Sequence, residues 1–328
     1  MNMQLLKIVN GPKPETALAL VVQDNGGLDT PGQLLLYNFS GAKPESTLLF
    51  YNSDSIYDVW VSSTGDIWLC SSYGNIYTTA NVQFPESAFK SPYDLDEADI
   101  RNSGLEWKMY CLDAVQNATS IWSPDGVNVF VGTYSGHVYQ WDGQTWTKQE
   151  TPVSQNEGKY ITHFAGSSAS DVYAIGSFSR ELLYYDGKAW RRTAYDENKQ
   201  GPMIAEGIAR TPDGDYYLAC EEGRVWKTRD GQHFDLAVAD PELDFAGLTY
   251  AHDQIILAAG EKGVYAIKGG QLVNIRNTFP AQTVAGGGNQ AVFVRPAKED
   301  DEKITLSYAI YSASETRPWY GYSIHFDK

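Results

Sequence analysis

Arginine is scarce in this 328-residue chain, with ten in all and none before Arg101. Acidic residues outnumber basic ones by 41 to 25, for a net charge of −16 and an isoelectric point near 4.7. A field of that sign repels nucleic acid and anionic lipid surfaces, so neither is expected as a partner. Cysteine is almost absent. Cys70, Cys111 and Cys220 each sit in an apolar run without metal-type spacing, which excludes a disulfide framework and points to reduced, buried thiols. The five histidines fall nowhere at ligand spacing, so no metal site is expected. No stretch of about 18 apolar residues is present, which excludes a helical membrane span. The first ten residues lack a basic segment followed by a long apolar one, so a cytoplasmic location is expected. No Gly-x-Ser-x-Gly elbow occurs, and Gly286-Gly287-Gly288 lies between two strand-like runs without the Gly-Lys-Ser of a phosphate cradle. No catalytic residue and no cofactor is therefore assigned.

What the chain does have is a repeat. Ser123, Ser167 and Thr211 are spaced 44 apart, as are Val129, Tyr173 and Tyr217. So are Val138, Leu182 and Trp226, then Asp142, Asp186 and Asp230, then Trp146, Trp190 and Phe234. A period of roughly 40–50 residues with short β-type runs inside it is the pattern of propeller blades. One four-stranded blade cannot bury both of its faces, so blades must stack. The 22 tyrosines and 9 tryptophans suit many short strands, and the 30 glycines suit the turns between them.

The repeat from Tyr160 to Tyr195 parses most clearly. Strands are predicted at 160–166, 171–176, 181–185 and 189–195, with a tight turn at Asp186-Gly187-Lys188. Alternating runs at each terminus supply a first and a last blade. The prediction is an all-β fold, a single β-propeller domain over residues 1–328 of seven four-stranded antiparallel blades, with six or eight blades as alternatives. Offsets between matched positions place an insertion near residues 81–103, between the third and fourth strands of the second blade.

The pieces Asp142-Gly143-Gln144-Thr145-Trp146, Asp186-Gly187-Lys188-Ala189-Trp190 and Asp230-Gly231-Gln232-His233-Phe234 carry a family likeness. They resemble degenerate Asp-box hairpins of sialidase-type propellers and of bacterial propellers related to photosystem assembly factors. The phrase from Ser170 to Gly176, followed by Leu183 to Trp190, is similar to that broad group, and the resemblance covers about 120 residues. The leading Ser and the second Gly of the full box are not kept. The resemblance implies that the Asp ties the turn and that the aromatic packs between blades. Sialidase chemistry needs an arginine cluster and a Tyr nucleophile activated by a Glu. The expected Arg-Ile-Pro near the N-terminus is missing, which argues against that activity.

Rigid faces decorated by loops suit binding. The expected function is a non-enzymatic, monomeric, protein-binding propeller with a basic protein partner, in one version an immunity protein that neutralises a basic toxin. The alternatives are a lyase or hydrolase acting on a sugar or small metabolite in the central channel, and a glycan-binding lectin. The preferred contact residues lie in the insertion: Phe89, Tyr93, Asp94, Asp96, Glu97 and Asp99. Removing residues 81–103 is expected to spare the ring. The fallback contact loops, expected on the opposite face, are 157–160 and 197–202.

Overall fold

The computed structural model describes residues 2–13, 15–24, 30–38, 45–87, 89–92, 95, 103–113, 116–154, 160–176, 181–287, 290–299, 303–312 and 318–327. The fold is a seven-bladed β-propeller, nearly all strand, and each blade is a four-stranded antiparallel sheet. The first blade holds β1 (Asn2–Asn10), β2 (Thr16–Asp24), β3 (Gly32–Asn38) and β4 (Glu45–Asn52). The second holds β5 (Ile56–Val61), β6 (Ile67–Ser71), β7 (Asn75–Thr78) and β8 (Lys108–Cys111). The third holds β9 (Ala118–Trp122), β10 (Val129–Thr133), β11 (Val138–Trp141) and β12 (Trp146–Gln149). The fourth holds β13 (Ile161–Ser168), β14 (Asp171–Gly176), β15 (Glu181–Tyr185) and β16 (Trp190–Arg192). The fifth holds β17 (Met203–Arg210), β18 (Tyr216–Cys220), β19 (Arg224–Thr228) and β20 (Asp235–Ala239). The sixth holds β21 (Gly247–Ala251), β22 (Gln254–Ala258), β23 (Val264–Lys268) and β24 (Gln271–Arg276). The seventh holds β25 (Thr283–Gly287), β26 (Gln290–Glu299), β27 (Lys303–Ser312) and β28 (Trp319–Asp327). Every sheet is made of four consecutive strands, and none borrows a strand from elsewhere in the chain.

The alphabet of each strand follows its place in the blade. Second strands such as β6 (Ile-Trp-Leu-Cys-Ser) and β10 (Val-Phe-Val-Gly-Thr) are buried at every position, so they are apolar but for a last residue whose hydroxyl is hydrogen-bonded. Outermost strands such as β12 and β24 are largely polar and exposed, because water covers one side of them.

The chain divides into two compact units, residues 1–179 with 185–191, and residues 180–184 with 192–328. In the first unit, Leu18, Leu34, Phe50, Val59, Leu69 and Tyr77 form a core between the first and second blades. Trp68, Ile76, Val129, Val131 and Trp141 form another between the second and third. Trp68 and Trp141 are fully buried. Each such ring removes about 150–250 Å² from water, or about 4–6 kcal/mol as an upper figure. In the second unit, Val225, Phe245, Leu248 and Leu257 fill the space between the fifth and sixth blades, and Val264, Phe279, Phe293 and Ala309 that between the sixth and seventh.

Polar ties link the innermost strands of the first unit. Lys7 on β1 pairs with Asp58 on β5, and Asp58 also accepts the Ile121 N–H of β9 at 2.9 Å. Thr119 and Ser120 of β9 donate to the Ile161 carbonyl of β13 at 2.6 and 3.0 Å. The buried carboxylate of Asp58 is thus charge-paired and hydrogen-bonded, the condition for tolerating it in a core.

The repeated hairpin turns share one hydrogen-bond pattern. Asp142 accepts the backbone N–H groups of Gln144 and Thr145 at 2.8 and 2.7 Å. Asp186 accepts those of Lys188 and Ala189 at 3.0 and 3.1 Å, and Asp230 those of Gln232 and His233 at 2.8 and 2.9 Å. The following aromatic packs inward: Trp190 stacks on Tyr185 at 5.1 Å, and Trp146 lies 5.4 Å from Trp141. The three cysteines are buried and unpaired, and burial raises the thiols of Cys111 and Cys220 to about 11.

Candidate functional site

Among the described residues of the first unit, several exposed aromatic side chains are carried on tight turns. β6 and β7 are joined by a single 3-10 turn, Ser72-Tyr73-Gly74. Gly74 has φ +66, and a Cβ there would lie 2.5 Å from the Asp113 carbonyl oxygen, so only glycine fits. Its own carbonyl accepts the Leu112 N–H at 2.9 Å, which docks the turn on the end of β8. Tyr73 before it is also left-handed, at φ 56, a conformation uncommon for a bulky side chain. Its ring is 39% exposed.

Asp54 holds this turn from beneath. It is fully buried and receives hydrogen bonds from the Ser71 and Ser72 hydroxyls, from Asn75 Nδ2 at 2.7 Å and from the Tyr77 hydroxyl at 3.0 Å. Burial pushes the Asp54 carboxyl above its ordinary value, and these four donors oppose that rise. The hub therefore fixes both the Ser72–Gly74 turn and the entry to β5, where Tyr57 stands 40% exposed.

The third blade adds Tyr134 from the β10–β11 turn. Gly136 closes that turn at φ +76. Asn117, just before β9, joins the two turns: its side-chain oxygen accepts the Tyr73 N–H at 3.3 Å and its carbonyl accepts the Tyr134 N–H at 2.9 Å. Tyr134 is 53% exposed and stacks on Tyr160, which enters β13, with ring centroids 5.2 Å apart and planes 7° apart. The Ser72 N–H donates to the Ser55 carbonyl at 2.9 Å, which ties the Tyr73 turn to the entry of β5 where Tyr57 stands. Four tyrosines from three blades thus gather at the ends of strands that lie side by side.

A polar relay backs this surface. Ser135 bonds Gln116 and lies 2.6 Å from His137 Nδ1, while His137 Nε2 lies 3.2 Å from Glu150. Burial, then Lys148, lowers the His137 imidazole, and Glu150 opposes this. The relay therefore fixes the Tyr134 turn through a neutral imidazole.

The insertion between β7 and β8 is anchored at several points. Phe84 enters an aromatic cage, with its ring 5.3 Å from Trp141, 5.4 Å from Tyr110, 6.2 Å from Trp68 and 6.4 Å from Trp146. Leu95 packs on the core between the first two blades, and Trp107 donates to the Leu49 carbonyl at 3.2 Å. This packing stands against the expectation that residues 81–103 could be removed without harm to the ring, since Val82, Phe84 and Leu95 pack against two inter-blade cores.

Of the sequence-predicted contact residues, Phe89 is 43% exposed. Ser87 beside it donates to the Cys111 carbonyl at 2.7 Å, and the Cys111 thiol in turn contacts the Tyr73 carbonyl at 3.4 Å. Phe89 therefore stands at the same end of the second blade as Tyr73. Tyr93, Asp94, Asp96, Glu97 and Asp99 lie outside the described residues, as do 157–159 of one fallback loop. The other fallback loop forms a one-turn helix, α1 (Glu197–Gln200), capped by Asp196. Reading the sequence missed Tyr57, Tyr73 and Tyr134; it named Tyr160 only as the edge of a fallback loop on the face opposite the insertion, whereas its stack on Tyr134 sets it at the end that carries Tyr73 and Phe89. One signal was present: the 44-residue spacing aligns Tyr134 with Phe178 and Glu222, so the residue at this position varies from one repeat to the next.

No protein-family model matches the chain. Among curated proteins it is similar to the immune protein Tsi7 of Pseudomonas aeruginosa, 24% identical over 155 residues, which is 46% of this chain and 49% of that protein. The chain spans about half the length of the curated relative it matches. Among solved structures it is similar to the WD40 β-propeller domain of Doa1, with a TM-score of 0.58 and 12% identity over 96% of this chain and 98% of that one. It is also similar to YCF48 bound to D1 peptide, with a TM-score of 0.56 and 13% identity over 93% and 92% of the two chains. These two likenesses establish the fold alone.

Proposed function

We propose that this protein is a protein-binding propeller whose contact surface is the tyrosine-bearing end of the second to fourth blades. We further propose that it acts as an immunity protein, holding a basic toxin in an inactive complex. The observation that carries this reading is the convergence of Tyr57, Tyr73, Tyr134 and Tyr160 on one rigid, partly exposed surface. Tyrosine combines a large apolar ring with a hydrogen-bonding tip and few rotatable bonds, and it is enriched where proteins meet. Phe89 borders this surface, and we keep Tyr93, Asp94, Asp96, Glu97 and Asp99 as proposed contacts on the ground of their sequence alone. Charge supports a basic partner: acidic residues outnumber basic ones by 17 to 7 in residues 1–150, against 24 to 18 in the remainder. The partial similarity to Tsi7 supports the immunity role. The protein works in this reading as a cytoplasmic monomer.

The test is capture of the partner from the native host, followed by titration of the purified partner against the chain and a Tyr57→Ala, Tyr73→Ala, Tyr134→Ala triple variant. The expected results are at least a 100-fold loss of affinity in the variant, inhibition of the partner's own activity by the unaltered chain, and an association rate that falls steeply with salt. A partner bound equally by the variant would overturn the assigned surface. A bound partner that stays fully active would overturn the immunity role.

A further inference from the structure

Tyr134 and Tyr160 do more than expose two rings. Their planes are 7° apart with centroids at 5.2 Å, so Tyr160 covers one face of Tyr134, and Tyr134 is nevertheless 53% exposed. About half of Tyr134 therefore stays open to solvent beyond that stack, and its turn is fixed from behind. The Asn117 carbonyl holds the Tyr134 N–H, and Ser135, His137 and Glu150 pin the rest of the turn. A rigid, outward π-face is an open end to a parallel stack.

Two carboxylates and one ammonium hold the groups next to that turn. Glu150, 68% exposed, reaches His137 of the same turn, and Asp113 accepts the Tyr139 hydroxyl at 3.4 Å. Lys148 is drawn onto the Tyr139 ring, with its ammonium 5.9 Å from the centroid. Arg101 is the sole arginine in the first 150 residues, so the chain supplies scarcely any guanidinium of its own in this region.

We propose that the outward face of Tyr134 receives an arginine side chain of the protein partner and selects it over lysine. This rests on the reading of the tyrosine-bearing end as the contact surface. A guanidinium is planar and weakly hydrated, so it continues a parallel aromatic stack while its N–H groups turn toward carboxylates such as Glu150. An ammonium is compact and strongly hydrated; it gains from the same carboxylates but not from the stack. Charge alone makes the site basic-selective, and the geometry of the ring pair makes it arginine-selective.

The experiment titrates the full chain with hexa-arginine and hexa-lysine peptides at low salt, then repeats both titrations with Tyr134→Phe, Tyr134→Leu and Glu150→Gln. The unaltered chain is expected to bind hexa-arginine about 3–10-fold more tightly than hexa-lysine, a preference of the size of one cation–π contact. Tyr134→Phe should keep the preference and Tyr134→Leu should erase it. Glu150→Gln should weaken both peptides while leaving a preference. Equal affinities for the two peptides, no binding of either, or a preference that survives Tyr134→Leu overturns the inference. Failure of the wider reading has a different mark: the captured partner would ignore loss of the tyrosines, whatever the peptides do.

Discussion

The turn between β6 and β7 and the turn between β18 and β19 have the same backbone and opposite surfaces. Tyr73 and Glu222 are both left-handed, at φ 56 and 60, and each precedes a glycine, Gly74 at φ +66 or Gly223 at φ +63. A Cβ on either glycine would strike a carbonyl oxygen, that of Asp113 at 2.5 Å or that of Asp240 at 1.8 Å. Each glycine carbonyl accepts an N–H from the residue just past the fourth strand, Leu112 at 2.9 Å or Asp240 at 3.1 Å. Yet one turn presents a half-exposed aromatic ring, and the other a carboxylate paired with Arg224 at 2.9 Å. The fold dictates the glycine and leaves the residue before it open. Where the fold is indifferent, the choice of side chain reports what the surface meets.

The largest effect is expected where the two turns agree. Gly74→Ala and Gly223→Ala should each lower stability by about 2–4 kcal/mol, because a left-handed conformation and a backbone clash act together. Urea denaturation of both variants checks this. A large loss in one alone would break the equivalence.

A second substitution concerns what the fifth blade has no counterpart for. Phe84→Ala should cost about 2–3 kcal/mol, since it empties a cage of four aromatic rings that is partly open to water. Thermal unfolding that leaves the midpoint unmoved would show the insertion to be dispensable after all.

Binding should separate the turns. Tyr73→Ala is expected to weaken partner affinity about 10–30-fold, and Glu222→Ala less than 2-fold, with both variants folded. Tyr73→Asn sharpens the contrast, since asparagine visits the left-handed region readily. It should raise stability by a few tenths of a kcal/mol while losing affinity as the alanine variant does. Isothermal titration alongside denaturation reads both quantities.

The architecture was legible because it is written in residues with no freedom. Gly74, the Asp142, Asp186 and Asp230 turns and the largely apolar second strands are each demanded by backbone geometry or by burial on both faces. The terminal blades were legible from alternation alone, because β1 to β4 and β25 to β28 follow the predicted runs to within a few residues. The tyrosine surface was not legible. Tyr57, Tyr73, Tyr134 and Tyr160 are separated by successive gaps of 16, 61 and 26 residues, at positions that no requirement of burial reserves for an aromatic, and only stacking of the blades brings them together. Nor did the insertion announce Phe84, because a single apolar residue in an irregular segment has no period to betray its burial.

The smallest effect compares the hairpin turns at Asp142 and Asp230. Backbone N–H donors hold the Asp142 carboxyl below its ordinary value, whereas His233 and the same pattern of donors hold Asp230 at about 2. A lowered carboxyl contributes stability that is present above the unfolded value near 3.9 and is lost as pH falls toward about 2. Asp230 in turn raises the His233 imidazole, a contribution present below the ordinary histidine value and lost as pH rises through the raised one. Asp230→Asn should therefore flatten the melting profile slightly at both edges of a window from about pH 4 to 6.5, and Asp142→Asn at the acid edge alone. Melting midpoints across pH 2–8 decide it.

Because each sheet is woven from four consecutive strands, no blade waits for a strand made much later. During synthesis a ribosome adds about 5–20 residues each second, so a blade of ordinary repeat length is complete within seconds of its first strand emerging. Sheet pairing can then proceed in instalments, and the unpaired strand edges that invite aggregation are exposed only briefly. The second blade is the exception, since β7 must wait for its partner β8 until the whole insertion has been made. The slowest sheet to close in the nascent chain is thus the one that carries Tyr57 and Tyr73.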